Sequence, residues 1–319
     1  MAASLIIRIV SLFLIAAGLP AAAHAAEWRE AAPMAAARAF AAAAGSSETL
    51  YVAGGAGLTG PVSDFSAYDA IGDIWRPLPS MPVGRQNFGM TAAADGGVYI
   101  SGGFVDDDAG GSRARDFWRY DLQSAVWVQL PDMPAERARH GMAAVGGRIY
   151  VIGGEGDNAS RVMVFDIAER QWSDLGADLP GARTDIAVTV RDGAVLVIGG
   201  RMSGAATARV DVLEPGGAPR WRLGPALPSP RAEGAAANVG GVLHFAGGRG
   251  NDPMRTFANH YVLLDGAAAW TEGPALPLPR VGAAAGAAAG AFVVAGGSGG
   301  SGLFSFFTAS DAVSVFNDR

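Results

Sequence analysis

A short apolar run that closes on two glycines recurs six times along this chain of 319 residues. The first copy occupies residues 50–55 and the second occupies residues 98–103. The first glycines of the six doublets are Gly54, Gly102, Gly153, Gly199, Gly247 and Gly296. They are 48, 51, 46, 48 and 49 residues apart. Self-similarity at a nearly fixed period predicts a repeat architecture, in which six similar units stack against one another.

Two further residue types recur in step with the doublets. An arginine precedes the first glycine of each doublet by 16 or 17 residues: Arg38, Arg85, Arg137, Arg183, Arg231 and Arg280. A tryptophan follows the second glycine of the first five doublets by 18 to 24 residues: Trp75, Trp127, Trp172, Trp221 and Trp270. The sixth doublet has no tryptophan after it, whereas Trp28 lies before the first doublet. We therefore expect Trp28 to complete the sixth unit.

Each unit is predicted to contain four strands, named a to d in chain order. In the first unit these are residues 39–44, 49–53, 65–68 and 74–76, separated by turns rich in glycine, serine and aspartate. Strand a is rich in alanine in most units, and alanine also favours helix. Glycine-containing turns cut these runs to six to eight residues, which is too short for a stable isolated helix. The sequence therefore predicts an all-β fold in a single domain.

The doublets and the aromatic-then-tryptophan pairs Tyr68/Trp75, Tyr120/Trp127 and Phe165/Trp172 resemble the kelch family of β-propellers. The resemblance covers residues 27–319 and implies a six-bladed propeller, closed by an N-terminal strand at residues 26–30 that completes the last blade. Glu214 and Leu263 stand where units four and five would carry the aromatic residue, so strand limits there are less well defined by the sequence.

Residues 1–25 have the composition of a secretory signal peptide. Arg8 precedes an apolar run, and the small-residue sequence Ala23-His24-Ala25 predicts cleavage before Ala26. An uncleaved membrane anchor is the alternative, but the apolar run is shorter than the ~20 residues that a bilayer requires. The sequence thus predicts a signal peptide at 1–25, a propeller at 26–319, and a periplasmic or secreted protein with no membrane span after cleavage.

Charge and composition narrow the classes of partner. The formal net charge is −6 and every basic side chain is arginine, which argues against a nucleic-acid partner because phosphate binding requires a clustered positive face. The absence of cysteine excludes a thiolate catalyst or a cysteine metal site. His140, His244 and His260 have no metal-ligand spacing, and we expect them to be isolated. The acidic residues 106–108 lack the closing glutamate of a calcium loop, so we predict neither a metal nor a cofactor.

The resemblance also implies where a ligand would bind. In kelch proteins that bind ligands at one end of the propeller, called the mouth, pocket residues lie two places after the repeated arginine and just after the doublet. Carried over by position, the first set contains Phe40, Asn87, Arg139, Asp185, Glu233 and Gly282, and the second contains Ala56, Phe104, Glu155, Arg201, Arg249 and Ser298. The polar members Asn87, Arg139, Glu155, Asp185, Arg201, Glu233 and Arg249 are the predicted ligand-binding residues.

These variable positions differ in character from the repeated arginines, which we expect to hold the scaffold because they are the same in every unit. The charged variable positions fall on units three to five, whereas units one, two and six supply Phe40 and Phe104. This distribution predicts a site with a charged wall facing an apolar wall. The alternative is that the six charges only neutralise one another, or lie on a solvated rim.

Two functions remain open from the sequence. The first is an exported binding module whose mouth takes a glycan, an acidic small molecule or a protein segment. The second is a sugar mutarotase or epimerase similar to the periplasmic sialic-acid mutarotases, which are exported kelch propellers. Such an enzyme would need carboxylates and arginines in the mouth, for which Asp185, Glu233, Arg139 and Arg249 are candidates. A copper-radical oxidase similar to galactose oxidase is excluded, because that chemistry needs a cysteine.

Overall fold

A computed structural model describes residues 26–105, 112–300, 305 and 307–317. The predicted signal peptide at 1–25 and the acidic residues 106–108 lie outside the described residues. The regular structure of the described part is β-strand, and no helix in it is long and apolar enough to cross a membrane. This agrees with the all-β prediction. We number the six repeat units by their glycine doublets.

The strands fall into six groups, one for each unit, after a first strand β1 (Glu27–Ala31). Unit one contains β2 (Ala42–Ser46), β3 (Thr49–Ala53), β4 (Ala56–Gly57), β5 (Gly60–Pro61), β6 (Phe65–Asp69) and β7 (Ile74–Leu78). Unit two contains β8 (Arg85–Gln86), β9 (Gly89–Ala92), β10 (Gly97–Ser101), β11 (Phe104–Val105), β12 (Ser112–Arg113), β13 (Phe117–Asp121) and β14 (Val126–Leu130). Unit three contains β15 (Gly141–Val145), β16 (Arg148–Ile152), β17 (Met163–Asp166) and β18 (Gln171–Asp174). Unit four contains β19 (Arg183–Thr184), β20 (Ala187–Arg191), β21 (Ala194–Ile198), β22 (Arg201–Met202), β23 (Ala205–Ala206), β24 (Val210–Glu214) and β25 (Arg220–Leu223). Unit five contains β26 (Ala235–Val239), β27 (Val242–Ala246), β28 (His260–Leu263) and β29 (Thr271–Gly273). Unit six contains β30 (Ala284–Ala288), β31 (Ala291–Ala295) and β32 (Val313–Asn317).

Each of the first five units forms one four-stranded antiparallel sheet from its longer strands, in simple chain order. Unit one, for example, has the order β2-β3-β6-β7. The sheet of unit six takes its fourth strand from the other end of the chain, with the order β30-β31-β32-β1. In that sheet Trp28 lies opposite Phe316, as Trp75 lies opposite Tyr68 in unit one and Trp127 opposite Tyr120 in unit two.

The glycine doublets connect each unit to the next. The second glycine of each doublet donates its N–H to the carbonyl of the repeated arginine in the following unit, over 2.7–2.9 Å, and the last of these bonds runs from Gly297 back to Arg38. Both glycines have positive φ, and a Cβ on Gly54 would lie 2.5 Å from the Arg85 carbonyl oxygen. Only glycine fits a backbone in that conformation so close to its neighbour, which explains why the doublet recurs.

The six repeated tryptophans, Trp28, Trp75, Trp127, Trp172, Trp221 and Trp270, make a second set of connections at the outermost strands. Each indole N–H donates to a backbone carbonyl of the segment that enters its unit from the preceding one, over 2.7–3.1 Å. Trp75 donates to Ala32, which follows β1, and Trp28 donates to Pro274, which follows β29. Trp28 thus makes in unit six the contact that the other five tryptophans make in their own units.

The apolar core is divided into six clusters, each lying between two neighbouring sheets. One cluster packs Leu50 and Val52 of unit one against Val293 and Val315 of unit six. The first strand of each four-stranded sheet lines a central channel with about 760 Å³ of empty space. These strands are β2, β9, β15, β20, β26 and β30. Their alanines and glycines suit this position because the neighbouring backbones approach closely there.

Several predicted strand limits differ from the structure by one to three residues. Strand a of unit one begins at Ala42 rather than at residue 39, because Phe40 has a φ of 59° and its N–H bonds to the carbonyl of Gly282 instead of joining the sheet. The strand that carries Trp28 spans Glu27–Ala31 rather than residues 26–30.

Candidate functional site

Six residues, one from each unit, form a ring at one end of the central channel. They are the predicted first set, two places after each repeated arginine: Phe40, Asn87, Arg139, Asp185, Glu233 and Gly282. All six have a φ between 52° and 59°. Each N–H donates to the carbonyl of its counterpart in the preceding unit over 2.7–3.0 Å, and the bond from Phe40 to Gly282 joins unit one to unit six.

This ring of backbone hydrogen bonds leaves the side chains to surround a cavity with about 490 Å³ of empty space, which is the mouth. Below the ring lies a second layer, contributed by the next residue of each unit: Ala41, Phe88, His140, Ile186, Gly234 and Ala283. His140 is the polar side chain of this layer. The backbone of the ring is the same in every unit, so the character of the mouth depends on the side chains alone.

The second predicted set lies beside the first. Ala56, Glu155, Arg249 and Ser298 form antiparallel bridges with the residue that follows each repeated arginine, and Phe104 and Arg201 pair with Gln86 and Thr184. The two predicted sets of positions are therefore adjacent in the fold.

The charged side chains of the mouth are joined into two ion-paired groups. In the first, the Asp185 carboxylate is almost fully buried and lies between Arg139 Nη1 at 3.2 Å and Arg201 Nε at 3.7 Å. Arg139 Nε also lies 3.2 Å from Glu155 Oε1, without hydrogen-bond geometry. In the second, Arg249 Nη2 donates to Glu233 Oε1 over 2.6 Å. These contacts fit the alternative that the charges neutralise one another.

Several of these groups nevertheless retain unused hydrogen-bonding capacity. Buried polar atoms without a hydrogen-bond partner among the described residues include Arg139 Nε, His140 Nδ1, Glu233 Oε2 and Arg249 Nε around the mouth, and Gln86 Oε1 beside it. Most of the others are the Nε atoms of the repeated arginines Arg38, Arg137, Arg183, Arg231 and Arg280, an equivalent position in five units. A buried polar group without a partner costs free energy, so the unpartnered atoms of the mouth favour a ligand that carries both hydrogen-bond donors and acceptors.

Glu233 is a mouth carboxyl whose pKa is raised by this environment. Burial raises the pKa of its carboxyl, and the nearby negative charge of Asp185 raises it further, while Arg249 acts in the opposite direction. Its side chain is 4% exposed, and its Oε2 has no hydrogen-bond partner among the described residues. A carboxyl with a raised pKa can exchange a proton near neutral pH.

The predicted asymmetry of the mouth has a structural counterpart. The charged side chains come from units three to five, while the Phe40 ring of unit one packs over Gly282 of unit six. The Arg139 guanidinium lies 5.7 Å from the centre of the Phe104 ring of unit two, within the range of a cation–π contact. An arginine that is paired with acids on one side thus faces an aromatic ring on the other.

The repeated arginines occupy a different environment from the arginines of the mouth. They are buried, with 0–4% exposure, and four of them donate to the carbonyl of the first glycine of their own doublet, as Arg85 does to Gly102 O over 2.9 Å. Arg183 adds an ion pair to Asp211 at 2.5 Å, with both side chains buried. These contacts agree with the scaffold role predicted for the set.

The histidines are not all isolated, contrary to expectation. His244 Nδ1 lies 3.0 Å from His260 Nε2 inside the core between units five and six, and the Trp28 ring packs on His260 at 5.2 Å. Their separation of 16 residues gave no signal, because the pair forms only when β27 and β28 lie side by side. The described part of the chain contains no cluster of three or more His, Cys, Asp or Glu side chains that could hold a metal ion.

Comparison with known proteins finds kelch repeats in this chain. The family model described as "Kelch motif" matches residues 37–82, 91–134 and 136–177. Kelch-like protein 35 of Mus musculus is 31% identical over 203 residues, which are 63% of this chain and 33% of the mouse protein. Kelch-like protein terF of Aspergillus terreus is 31% identical over 144 residues, or 42% of this chain and 31% of the fungal protein. The chain spans about a third of the length of these curated relatives.

Among solved structures, that of YjhT superposes with a TM-score of 0.75 at 20% sequence identity. The match covers 88% of this chain and 95% of the YjhT chain. At this level of identity the likeness concerns the fold.

Proposed function

Because this chain carries kelch repeats on a β-propeller fold, we propose that it is an exported binding module whose mouth takes a glycan or a protein segment. In this proposal the six four-stranded sheets are six blades of one ring, and β1 closes the last blade. The observation that carries the proposal is the mouth itself. Five variable side chains and Gly282 surround it on a backbone ring of constant conformation, and buried donors and acceptors around it have no partner in the described part of the chain.

The chemistry of the mouth suggests the class of ligand. The guanidinium groups of Arg139 and Arg249 offer donors, and Glu233 Oε2 offers an acceptor. Sugar hydroxyls can donate and accept at once, and a ligand carboxylate would suit the planar guanidinium groups. An acidic sugar, another acidic small molecule or an acidic peptide segment therefore fits the mouth. A nucleic acid does not fit, given the net charge of −6.

The proposal includes export. The sequence of residues 1–25 favours a signal peptide, and the propeller is then the domain at 26–319, in the periplasm or outside the cell. A fusion of residues 1–25 to a reporter that is active only after export would test this part independently of ligand binding. A reporter that stays inactive would contradict export.

A sugar mutarotase or epimerase is the second candidate, and Glu233 is the observation that favours it. A mutarotase removes one proton from a sugar and returns another, which a carboxyl with a raised pKa can do. Asp185, which is ion-paired with Arg139 and Arg201, lies in the adjacent unit. An NMR assay of anomer interconversion distinguishes the two candidates, since an enzyme exceeds the uncatalysed rate and loses the excess on Glu233→Gln.

A thermal-shift screen of glycans and acidic metabolites tests the binding function, because a ligand of the native state raises its stability by mass action. For a compound that raises the melting temperature, Arg139→Ala and Arg249→Ala should each weaken binding by about 1.5–3 kcal/mol, the range for hydrogen bonds to charged groups. The matched control is Arg222→Ala, which removes an exposed arginine of β25 that is paired with Glu214. Unchanged affinity in both mouth variants, with the fold intact, would contradict the proposal.

A further inference from the structure

Units one and two have a turn with the same hydrogen bonds between their third and fourth strands. The last residue of the turn differs, and a groove lies beside it in unit two. In unit one the turn connects Asp69 to Ile74, and the Asp69 Oδ1 atom accepts from two turn N–H groups. In unit two Asp121 Oδ1 accepts from two N–H groups of its own turn in the same way. The last residue of each turn has positive φ, with Asp73 at 52° and Ala125 at 57°. The difference is that an alanine stands where unit one has an aspartate.

In unit one the Asp73 carboxylate fills a built site at the seam with unit six. It accepts from the buried Tyr68 hydroxyl over 2.6 Å and from the Ala32 N–H over 2.9 Å. Arg29, which follows Trp28 on β1, lies 3.9 Å away. The Tyr68 hydrogen bond contributes most to lowering the pKa of Asp73, which is consistent with an ionised carboxylate. At this seam the chain itself places a carboxylate between a tyrosine hydroxyl and an arginine.

At the seam between units one and two the tyrosine and the arginine are retained, but the carboxylate is missing, and Pro79, which has no N–H, takes the place of Ala32. Tyr120 takes the place of Tyr68, and Arg76, which follows Trp75 on β7, takes the place of Arg29. Both line a groove with about 870 Å³ of empty space, together with Ala125, Leu78 and Leu122. Tyr120 is 1% exposed, and its hydroxyl makes no hydrogen bond to another residue of the described chain.

We propose that this groove, distinct from the mouth, binds a ligand with a single carboxylate on an aliphatic body. The ligand carboxylate accepts from the Tyr120 hydroxyl, as Asp73 accepts from Tyr68, and interacts with the outer side of the Arg76 guanidinium. The aliphatic body lies against Leu78 and Leu122. Because the residues that line the groove line neither the central channel nor the mouth, the site is independent of the proposed function of the mouth.

The charges of the groove limit the ligand further. Arg76 is 68% exposed and uses Nη2 on Asp69 at 3.1 Å, which leaves its other N–H groups for a ligand. Asp69 and the exposed Glu48 line the same groove, so a second negative charge on the ligand would be repelled. Burial raises the pKa of Tyr120, and its hydroxyl is therefore a donor at neutral pH.

The first experiment uses saturation-transfer NMR on the full chain with 4-methylpentanoate as the probe and 4-methylpentanamide as its uncharged match. The carboxylate should bind the wild-type protein and the amide should not. Tyr120→Phe should weaken carboxylate binding roughly tenfold, the effect of losing one hydrogen bond to a charged group. Tyr68→Phe, the matched control in unit one, should leave it unchanged. Failure of the carboxylate to bind, or equal binding of the amide, would overturn the proposal.

The second experiment adds the carboxylate at one seam and removes it at the other. Ala125→Asp supplies the missing carboxylate from the chain, at a φ that Asp73 already adopts, and should abolish probe binding. Asp73→Ala removes the carboxylate from the other seam and should create a second carboxylate site there. An Ala125→Asp protein that binds the probe as the wild type does would rule out the proposed position. So would an Asp73→Ala protein that gains no binding.

Discussion

Arg137 and Arg139, two residues apart in the chain, differ in what they contact. Arg137 is buried and donates to the carbonyls of Asp157 and Asn158 in a loop of its own unit. Arg139 is one-third exposed and pairs with the carboxylates of Asp185 and Glu155. All six repeated arginines are buried and donate to a backbone carbonyl, and Arg85 and Arg183 add ion pairs to Asp116 and Asp211. At the residue scale, burial and a bond to the backbone are therefore common to the whole repeated set.

The first prediction concerns a repeated arginine. Arg183→Ala should destabilise the fold by about 3 kcal/mol, because it leaves the buried Asp211 carboxylate with Arg209 as its remaining ion-pair partner. Urea unfolding monitored by circular dichroism measures this loss. Arg148→Ala, which removes a half-exposed arginine paired with Asp166, should change stability by less than about 1 kcal/mol. Equal effects of the two substitutions would contradict the scaffold role.

The second prediction concerns the buried histidines. Burial lowers the pKa of His140 to about 3 and that of His260 to about 4, so both are neutral in the native state at neutral pH. Between those values and the unfolded pKa of ~6.5 the unfolded chain binds more protons than the native one. Stability should therefore be complete above pH ~6.5 and fall with decreasing pH, by up to about 1.4 kcal/mol per pH unit for each histidine.

Chemical unfolding at a series of pH values between 7 and 4.5 measures this slope. His140→Gln should reduce the slope, since glutamine does not titrate. A slope that is the same in the variant and the wild type would show that His140 does not contribute.

At the scale of the element, the outermost strand of each unit is fixed by its tryptophan. In units one to three the indole packs against the aromatic residue of the third strand, as Trp127 does on Tyr120, and in every unit its N–H bonds to the segment entering the unit. β1 satisfies the same two conditions in unit six, through Phe316 and Pro274. Unit six is therefore equivalent to the others in its contacts, although its strands come from both ends of the chain.

The third prediction follows from this equivalence. Trp28→Ala should cost about as much stability as Trp127→Ala, roughly 3–5 kcal/mol for loss of a large aromatic side chain from a packed site. Thermal unfolding of both variants beside the wild type measures the two losses. A Trp28→Ala protein that melts at the wild-type temperature would show that β1 contributes little to unit six.

At the scale of the whole molecule, the connections between units return to their starting point. The doublet, the mouth ring and the tryptophans each connect unit six to unit one in the same way as any other pair of neighbours. The core between units six and one is likewise one of the six clusters. In an open array the terminal repeats lack one neighbour, whereas in this molecule each unit contacts two.

The fourth prediction is that the molecule unfolds in one cooperative transition, because the loss of any unit removes two interfaces at once. Tryptophan fluorescence, which reports on the outer strands, and far-ultraviolet circular dichroism, which reports on the sheets, should give coincident denaturation curves. A chain truncated after residue 274, which lacks unit six except β1, should fail to fold. Separate transitions for the two probes, or a stable truncated chain, would contradict this view.

The sequence by itself determined the repeat and the all-β class, because both depend on local backbone geometry, whereas the positions around the mouth were implied by the resemblance to the kelch family. The doublet needs glycine wherever two units approach closely, so its period is visible in the chain. The tertiary structure alone decided which side chains meet. The pairing of Asp185 with Arg139 and Arg201, of His244 with His260, and the groove at Tyr120 and Ala125 join residues of different strands or units. Such contacts depend on side-chain direction and burial, which the spacing of residues in a repeat does not specify.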